Sequence, residues 1–101
     1  MMSEGITITV EFMFKPGLAD GFCDLIPRLL VDTARFEGFR DIKVVRHGVE
    51  PDRVLLVESW DSEDHYKKYI AWRTEQGDMD RTVQQLVSGR TDVWPTFVAR
   101  A

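Results

Sequence analysis

The stretch Trp60-Asp61-Ser62-Glu63-Asp64-His65-Tyr66-Lys67-Lys68-Tyr69-Ile70-Ala71-Trp72-Arg73 reads as the end of an apolar strand, a capped helix start and then a helix carrying most of the chain's chemically versatile side chains. Asp61 or Ser62 can cap the first backbone N–H groups, and Glu63 and Asp64 place negative charge at the positive end of the helix dipole. The helix is therefore expected to begin near Ser62. At about 100° per residue, Trp72, His65, Tyr69, Arg73, Tyr66 and Ile70 share one broad face, with Lys67, Lys68 and Asp64 opposite. A face that is aromatic and polar at once has two readings. Its rings are core residues whose polar tips find partners, or the face walls a pocket for a small molecule.

The strand leading into this helix, Arg53–Trp60, sets Val54, Leu56, Glu58 and Trp60 on one side and Leu55, Val57 and Ser59 on the other. Both sides are apolar, so something must cover each. Helices can cover one. The other calls for a second sheet, most simply that of a second subunit, and a homodimer is expected on this ground. Upstream, residues 42–47 alternate Ile42, Val44 and Arg46 with Lys43, Val45 and His47, and the turn signal Gly48-Val49-Glu50-Pro51-Asp52 makes the two strands a hairpin.

Residues 6–14 alternate cleanly, with Ile6, Ile8, Val10, Phe12 and Phe14 on one side and Thr7, Thr9, Glu11 and Met13 on the other. Lys15-Pro16-Gly17 breaks this strand. A helical period follows over about residues 18–36, gathering Phe22, Leu25, Ile26, Leu29, Thr33 and Phe36 on one side. Pro27 lies inside it and is expected to kink it, the alternative being a break into two helices. Gly38 is a plausible cap, with extended chain resuming near Phe39.

After Gly77-Asp78, residues 79–87 suggest a short third helix through Met79, Val83, Leu86 and Val87, closed by Ser88-Gly89. Residues 91–98 read as a last strand, and Pro95 assigns it to an edge or a bulge because it cannot donate to a ladder. The order strand, helix, strand, strand, helix, short helix, strand describes two β-α-β halves. The fold class is α+β, a ferredoxin-like split β-α-β with a four-stranded antiparallel sheet and helices on one face.

The 101 residues have the size and composition of one globular domain, spanning 1–101 with a core at about 6–98. Thirteen basic and 17 acidic residues give a net charge of −4 with no basic stripe, which argues against nucleic acid as a partner. A single cysteine, Cys23, leaves no intramolecular disulfide framework, and it is expected as a small buried thiol on the flank of a helix. There is no leader pattern and no long apolar run, so a cytoplasmic protein without membrane contact is expected.

Phosphate-loop, dinucleotide, His-Glu-x-x-His and Cys-x-x-Cys signatures are missing. His47, His65 and Cys23 lie on different elements and form a poor metal set, so no metal is expected. No glycine-framed nucleophile elbow surrounds a serine. An apolar cavity with few polar groups remains, built from Trp60, His65, Tyr69, Trp72, Arg73 and Glu58. His65 has the ordinary pKa best suited to proton transfer near neutrality, unless it is only a first-turn surface or satisfied core histidine. Arg73 clamps an anionic oxygen or pairs with Glu58 or Glu75.

Lys15-Pro16-Gly17, Phe36-Glu37-Gly38-Phe39, Leu55-Leu56-Val57-Glu58-Ser59-Trp60 and Tyr69-Ile70-Ala71-Trp72-Arg73 together resemble the antibiotic biosynthesis monooxygenase domain family, over residues 6–98. The resemblance implies the ferredoxin-like fold and a homodimer whose sheets pack into an α+β barrel. It also implies oxidation of a small aromatic or quinol by O2 as co-substrate, with neither flavin nor metal as cofactor. The catalytic residues are then expected to be His65 as base and Arg73 or Tyr69 as holder of the oxyanion, with Trp60, Trp72, Tyr66, Phe12, Phe14 and Glu58 binding substrate. Two branches of the family use a site asparagine, and this chain has none. The haem-degrading branch's ligand histidine would fall near Met79 and its pocket tryptophan near Tyr69, so haem is disfavoured. The alternatives are a dimeric small-molecule-binding protein without turnover, and a non-oxidative isomerase or lyase of the same fold.

Overall fold

A computed structural model describes residues 3–97. The elements run β1 (Ser3–Phe14), α1 (Ala19–Thr33), β2 (Phe39–Arg46), β3 (Arg53–Trp60), α2 (Glu63–Glu75), α3 (Asp78–Gln84) and β4 (Leu86–Phe97). The four strands form one antiparallel sheet in the order β2-β3-β1-β4. β1 and β3 are therefore interior strands, as their apolar alternation requires, and Pro95 lies on an edge strand where its missing N–H costs the ladder least.

Cross-strand register puts Ile6, Ile8, Val10 and Phe12 opposite Trp60, Glu58, Leu56 and Val54, so one face of the sheet carries the core. That core has two clusters. Ile6, Ile8, Val10, Trp60 and Tyr66 form one, and Phe14, Ala19, Phe22 and Val54 form the other. Phe12 and Leu56 pack against both. Trp60 is fully buried, with ring centroids of Tyr69, Phe39 and Tyr66 at 5.1, 5.3 and 5.8 Å. Truncating a ring so placed costs about 3–5 kcal/mol.

α1 runs unbroken through the exposed Pro27, which excludes the two-helix alternative, and it stops at Thr33 instead of near residue 36. Phe36 instead turns back onto Tyr69 and Trp72, with both ring-centroid separations 5.2 Å. Ser62 caps α2, its hydroxyl accepting from the His65 backbone N–H, while Asp61 pairs with Arg40. Cys23 is only half-buried, beside the second cluster.

The C-terminal third departs from the sequence expectation. The third helix ends at Gln84, and β4 begins at Leu86, so Ser88 and Gly89 belong to the strand. Val83 and Val87 are 60% and 67% exposed, so the apolar positions that suggested a longer helix have nothing to pack against. Leu86, Ser88 and Gly89 pair instead with Phe14, Met13 and Phe12, because the free edge of β1 offers backbone partners that local helix propensity cannot match.

The other face of the sheet carries Val45, Leu55, Val57, Thr7, Thr9, Glu11 and Trp94, and no helix covers it; Trp94 is 60% exposed.

Candidate active site

A cavity of about 120 Å³ lies between the sheet and the three helices, where the two core clusters meet. The strands provide Val10, Phe12, Ile42, Leu56, Glu58 and Thr91. α1 adds Phe22, Ile26, Leu29, Leu30 and Thr33; α2 adds Tyr66, Tyr69, Ile70 and Arg73; α3 adds Asp78, Met79 and Thr82. The surface is overwhelmingly aliphatic and aromatic, as small-molecule pockets usually are.

Glu58 is the charged residue on the sheet side of the wall. Its cross-strand neighbours are Ile8 and Ile42, and it is 4% exposed. Trp60 Nε1 donates to one carboxylate oxygen at 3.2 Å, the single hydrogen bond to this group among the described residues. Desolvation raises its pKa above the ordinary carboxylate value, against the indole hydrogen bond and the Arg73 charge, which both pull it down. A carboxyl so placed holds or takes up a proton more readily than a surface glutamate.

Tyr66, from the first turns of α2, is also buried, and its hydroxyl makes no hydrogen bond among the described residues. Burial raises its pKa, and the nearby Glu58 and Tyr69 push the same way. Its O–H therefore stays protonated as a donor, on a residue that lines the cavity.

Arg73 is held in place. Its Nε donates to the Tyr69 hydroxyl at 2.9 Å, Nη1 to Asp78 Oδ2 at 2.9 Å, and Nη2 to the Leu29 carbonyl at 2.5 Å and Thr33 Oγ1 at 3.0 Å. Thr33 Oγ1 and the Tyr69 hydroxyl lie 2.8 Å apart, which closes the network. The Tyr69 and Trp72 ring centroids lie 5.3 and 4.8 Å from the guanidinium carbon. Burial lowers the guanidinium pKa, but Tyr69 and Asp78 outweigh it and the net shift is upward. Its acidic partner is Asp78, not Glu58 or Glu75, because the turn at Gly77 carries the start of α3 back beside the end of α2.

His65 is not on the cavity wall. Its Nδ1 lies 2.6 Å from Ser62 Oγ, and its Nε2 lies 4.0 Å from Glu37. The ring sits against Gly38, whose φ of +86° and missing Cβ make room for it; a Cβ there would collide with the imidazole. Of the other sequence-proposed residues, Phe12, Glu58, Tyr66, Tyr69 and Arg73 come together around the cavity. Trp60 packs behind it and orients Glu58, Phe14 belongs to the second core cluster, and Trp72 stacks outside on Arg73. Thr33, Asp78 and Met79 were not anticipated as wall residues. Thr33 carried a hint as the one polar member of the apolar face of its helix.

No group of three or more His, Cys, Asp or Glu side chains among the described residues is arranged to hold a metal ion. No helix among them is long and apolar enough to cross a membrane.

Residues 5–76 match the family model described as antibiotic biosynthesis monooxygenase. The chain belongs to that family. Solved structures agree on the fold. SnoaB, a cofactor-independent oxygenase from Streptomyces nogalater, is 17% identical with a TM-score of 0.75, over 95% of this chain and 93% of its own. A conserved protein from Methanosarcina mazei Go1 is 18% identical with a TM-score of 0.80, over 91% and 92%. A protein from Shewanella oneidensis is 20% identical with a TM-score of 0.78, over 88% and 87%. No match is found among curated protein sequences.

Proposed function

We propose that this chain is a monooxygenase that oxidises a small dihydroxyarene or quinol with O2, without flavin or metal, as a homodimer joined through the uncovered face of the sheet. Membership of the antibiotic biosynthesis monooxygenase family and the fold shared with SnoaB support the reaction class. The observation that carries the site is the buried Glu58 carboxyl, with one hydrogen bond among the described residues, sharing an apolar cavity with Tyr66, whose hydroxyl has no partner among them.

Glu58 takes the proton from a substrate hydroxyl as general base. Tyr66 donates to the oxygen that becomes negative, inside a cavity whose low polarity strengthens that bond. Arg73 and Tyr69 hold the helical side of the wall in position. The electron-rich aryloxide then reduces O2 itself. For a hydroquinone, one oxygen atom enters the ring and the other leaves as water, and the substrate supplies all the electrons as it becomes a hydroxyquinone. The apolar walls keep water from the reactive species. His65 is set aside as base because its ring faces Ser62 and Gly38 and not the cavity.

The test is O2 uptake by metal-free protein against hydroquinones, naphthohydroquinones and anthrones, repeated with Glu58→Gln and His65→Ala. Uptake that is lost in Glu58→Gln and kept in His65→Ala is the expected result. No enzyme-dependent uptake across the panel would leave a binding protein of this fold.

A further inference from the structure

We infer that the cavity is selective for an uncharged, single-ring dihydroxyarene and disfavours carboxylated and fused-ring analogues. The inference takes its chemistry from the proposed oxygenation, while its size and charge arguments stand on the cavity alone.

Size comes first. A cavity of roughly 150 Å³ lined by Leu, Ile and Phe holds one benzene ring. The space here is about 120 Å³, between Val10, Ile42 and Leu56 on the sheet and Leu29, Ile70 and Met79 on the helices. One ring fills this half-open space, and a second fused ring has to displace one of these side chains or stand out of the mouth into water.

Charge sharpens the choice. Three residues of charged type reach the wall, the acids Glu58 and Asp78 and the base Arg73. Arg73 spends four of its five N–H donors on Tyr69, Asp78, the Leu29 carbonyl and Thr33, with Asp78, which it shares with Arg81, 2.9 Å away. The remaining polar groups are hydroxyls. Among the described residues no cation on the wall keeps two donors to receive a carboxylate, and an ionised Glu58 repels one across a low-dielectric gap. A neutral hydroxyl, in contrast, finds an acceptor in Glu58 and a donor in Tyr66.

Calorimetric titration under anaerobic conditions separates binding from turnover, using hydroquinone, 2,5-dihydroxybenzoate and 1,4-dihydroxynaphthalene as probes. Hydroquinone is expected to bind, with each of the other two weaker by about tenfold or more. The disadvantage of the carboxylated probe should shrink in Glu58→Gln, and that of the bicyclic probe in Met79→Ala. Equal or tighter binding of either analogue, or no binding of hydroquinone, overturns the inference. Aerobic O2 uptake keeps the two ideas apart. Selective binding of hydroquinone without uptake removes the oxygenase reading and retains this one. Uptake with preference for the bicyclic or carboxylated compound does the reverse.

Discussion

Glu11 and Glu58 sit on adjacent interior strands of one sheet, yet one is a surface residue and the other a buried acid. Glu11 faces the uncovered side, its side chain 54% exposed and its carboxylate 4.0 Å from Arg53. Glu58 faces the helices, 4% exposed, with the Trp60 indole as its hydrogen-bond donor. Residue type and strand position are matched, so only the parity of the register differs. The covering layer raises the pKa of one of two like carboxyls, because removing water penalises the charged form.

The sharpest way to break the contrast is to neutralise each acid in turn. Glu58→Gln is expected to lower turnover by about 10²–10⁴-fold, the range usual for a lost general base, while Glu11→Gln leaves it unchanged, as oxygen-electrode kinetics will show. The same pair separates by pH. The folded-state pKa of Glu58 is raised above its ordinary 4.5, so the folded state binds more protons than the unfolded one between the two values. Stability is then greatest below 4.5 and falls as pH rises through the raised value. Urea midpoints measured across pH should show this loss in the wild type and lack it in Glu58→Gln.

Removing cations extends the comparison to the two sides of the molecule. Arg73→Ala removes four hydrogen bonds from a buried network and leaves Asp78 with Arg81 as its one cation, and it is expected to cost about 2 kcal/mol by denaturant unfolding. Arg53→Ala, beside Glu11, should leave the midpoint in place. A charge placed on the uncovered face, as in Val57→Glu, is expected to give a monomeric mass by sedimentation with the secondary structure retained; a dimer that survives this change would place the interface elsewhere. Tyr66→Phe keeps the ring but removes a hydroxyl that has no partner among the described residues. Its stability should move by less than about 1 kcal/mol while turnover falls by roughly tenfold. Smallest of all is His65→Ala, whose turnover should change by less than about twofold.

Much of this was readable along the chain. The alternation in residues 6–14 and 53–60 decided which side chains share a face, and the Ser62 cap located the helix that follows. Glu58 was visible as the one acid in an otherwise apolar inward register. The C-terminal strand was misplaced by five residues, because pairing with the free edge of β1 outweighed a helical pattern around Val83 and Val87. At the site, helical periodicity put His65, Tyr66, Tyr69 and Arg73 on a common face. It said nothing of which part of that face would lie over a gap and which over solid packing.

Sequence by itself determined the element order, which side chains share a face and the presence of an acid among apolar neighbours, since these follow from local periods of 2 and 3.6 residues. Tertiary structure alone decided that Arg73 closes on Asp78 and Thr33, that His65 rests on Gly38, and that Glu58 and Tyr66 are left facing a shared cavity. Those outcomes depend on where three helices come to rest over one sheet. Burial, pairing and the resulting pKa shifts are properties of that packing, not of any single element.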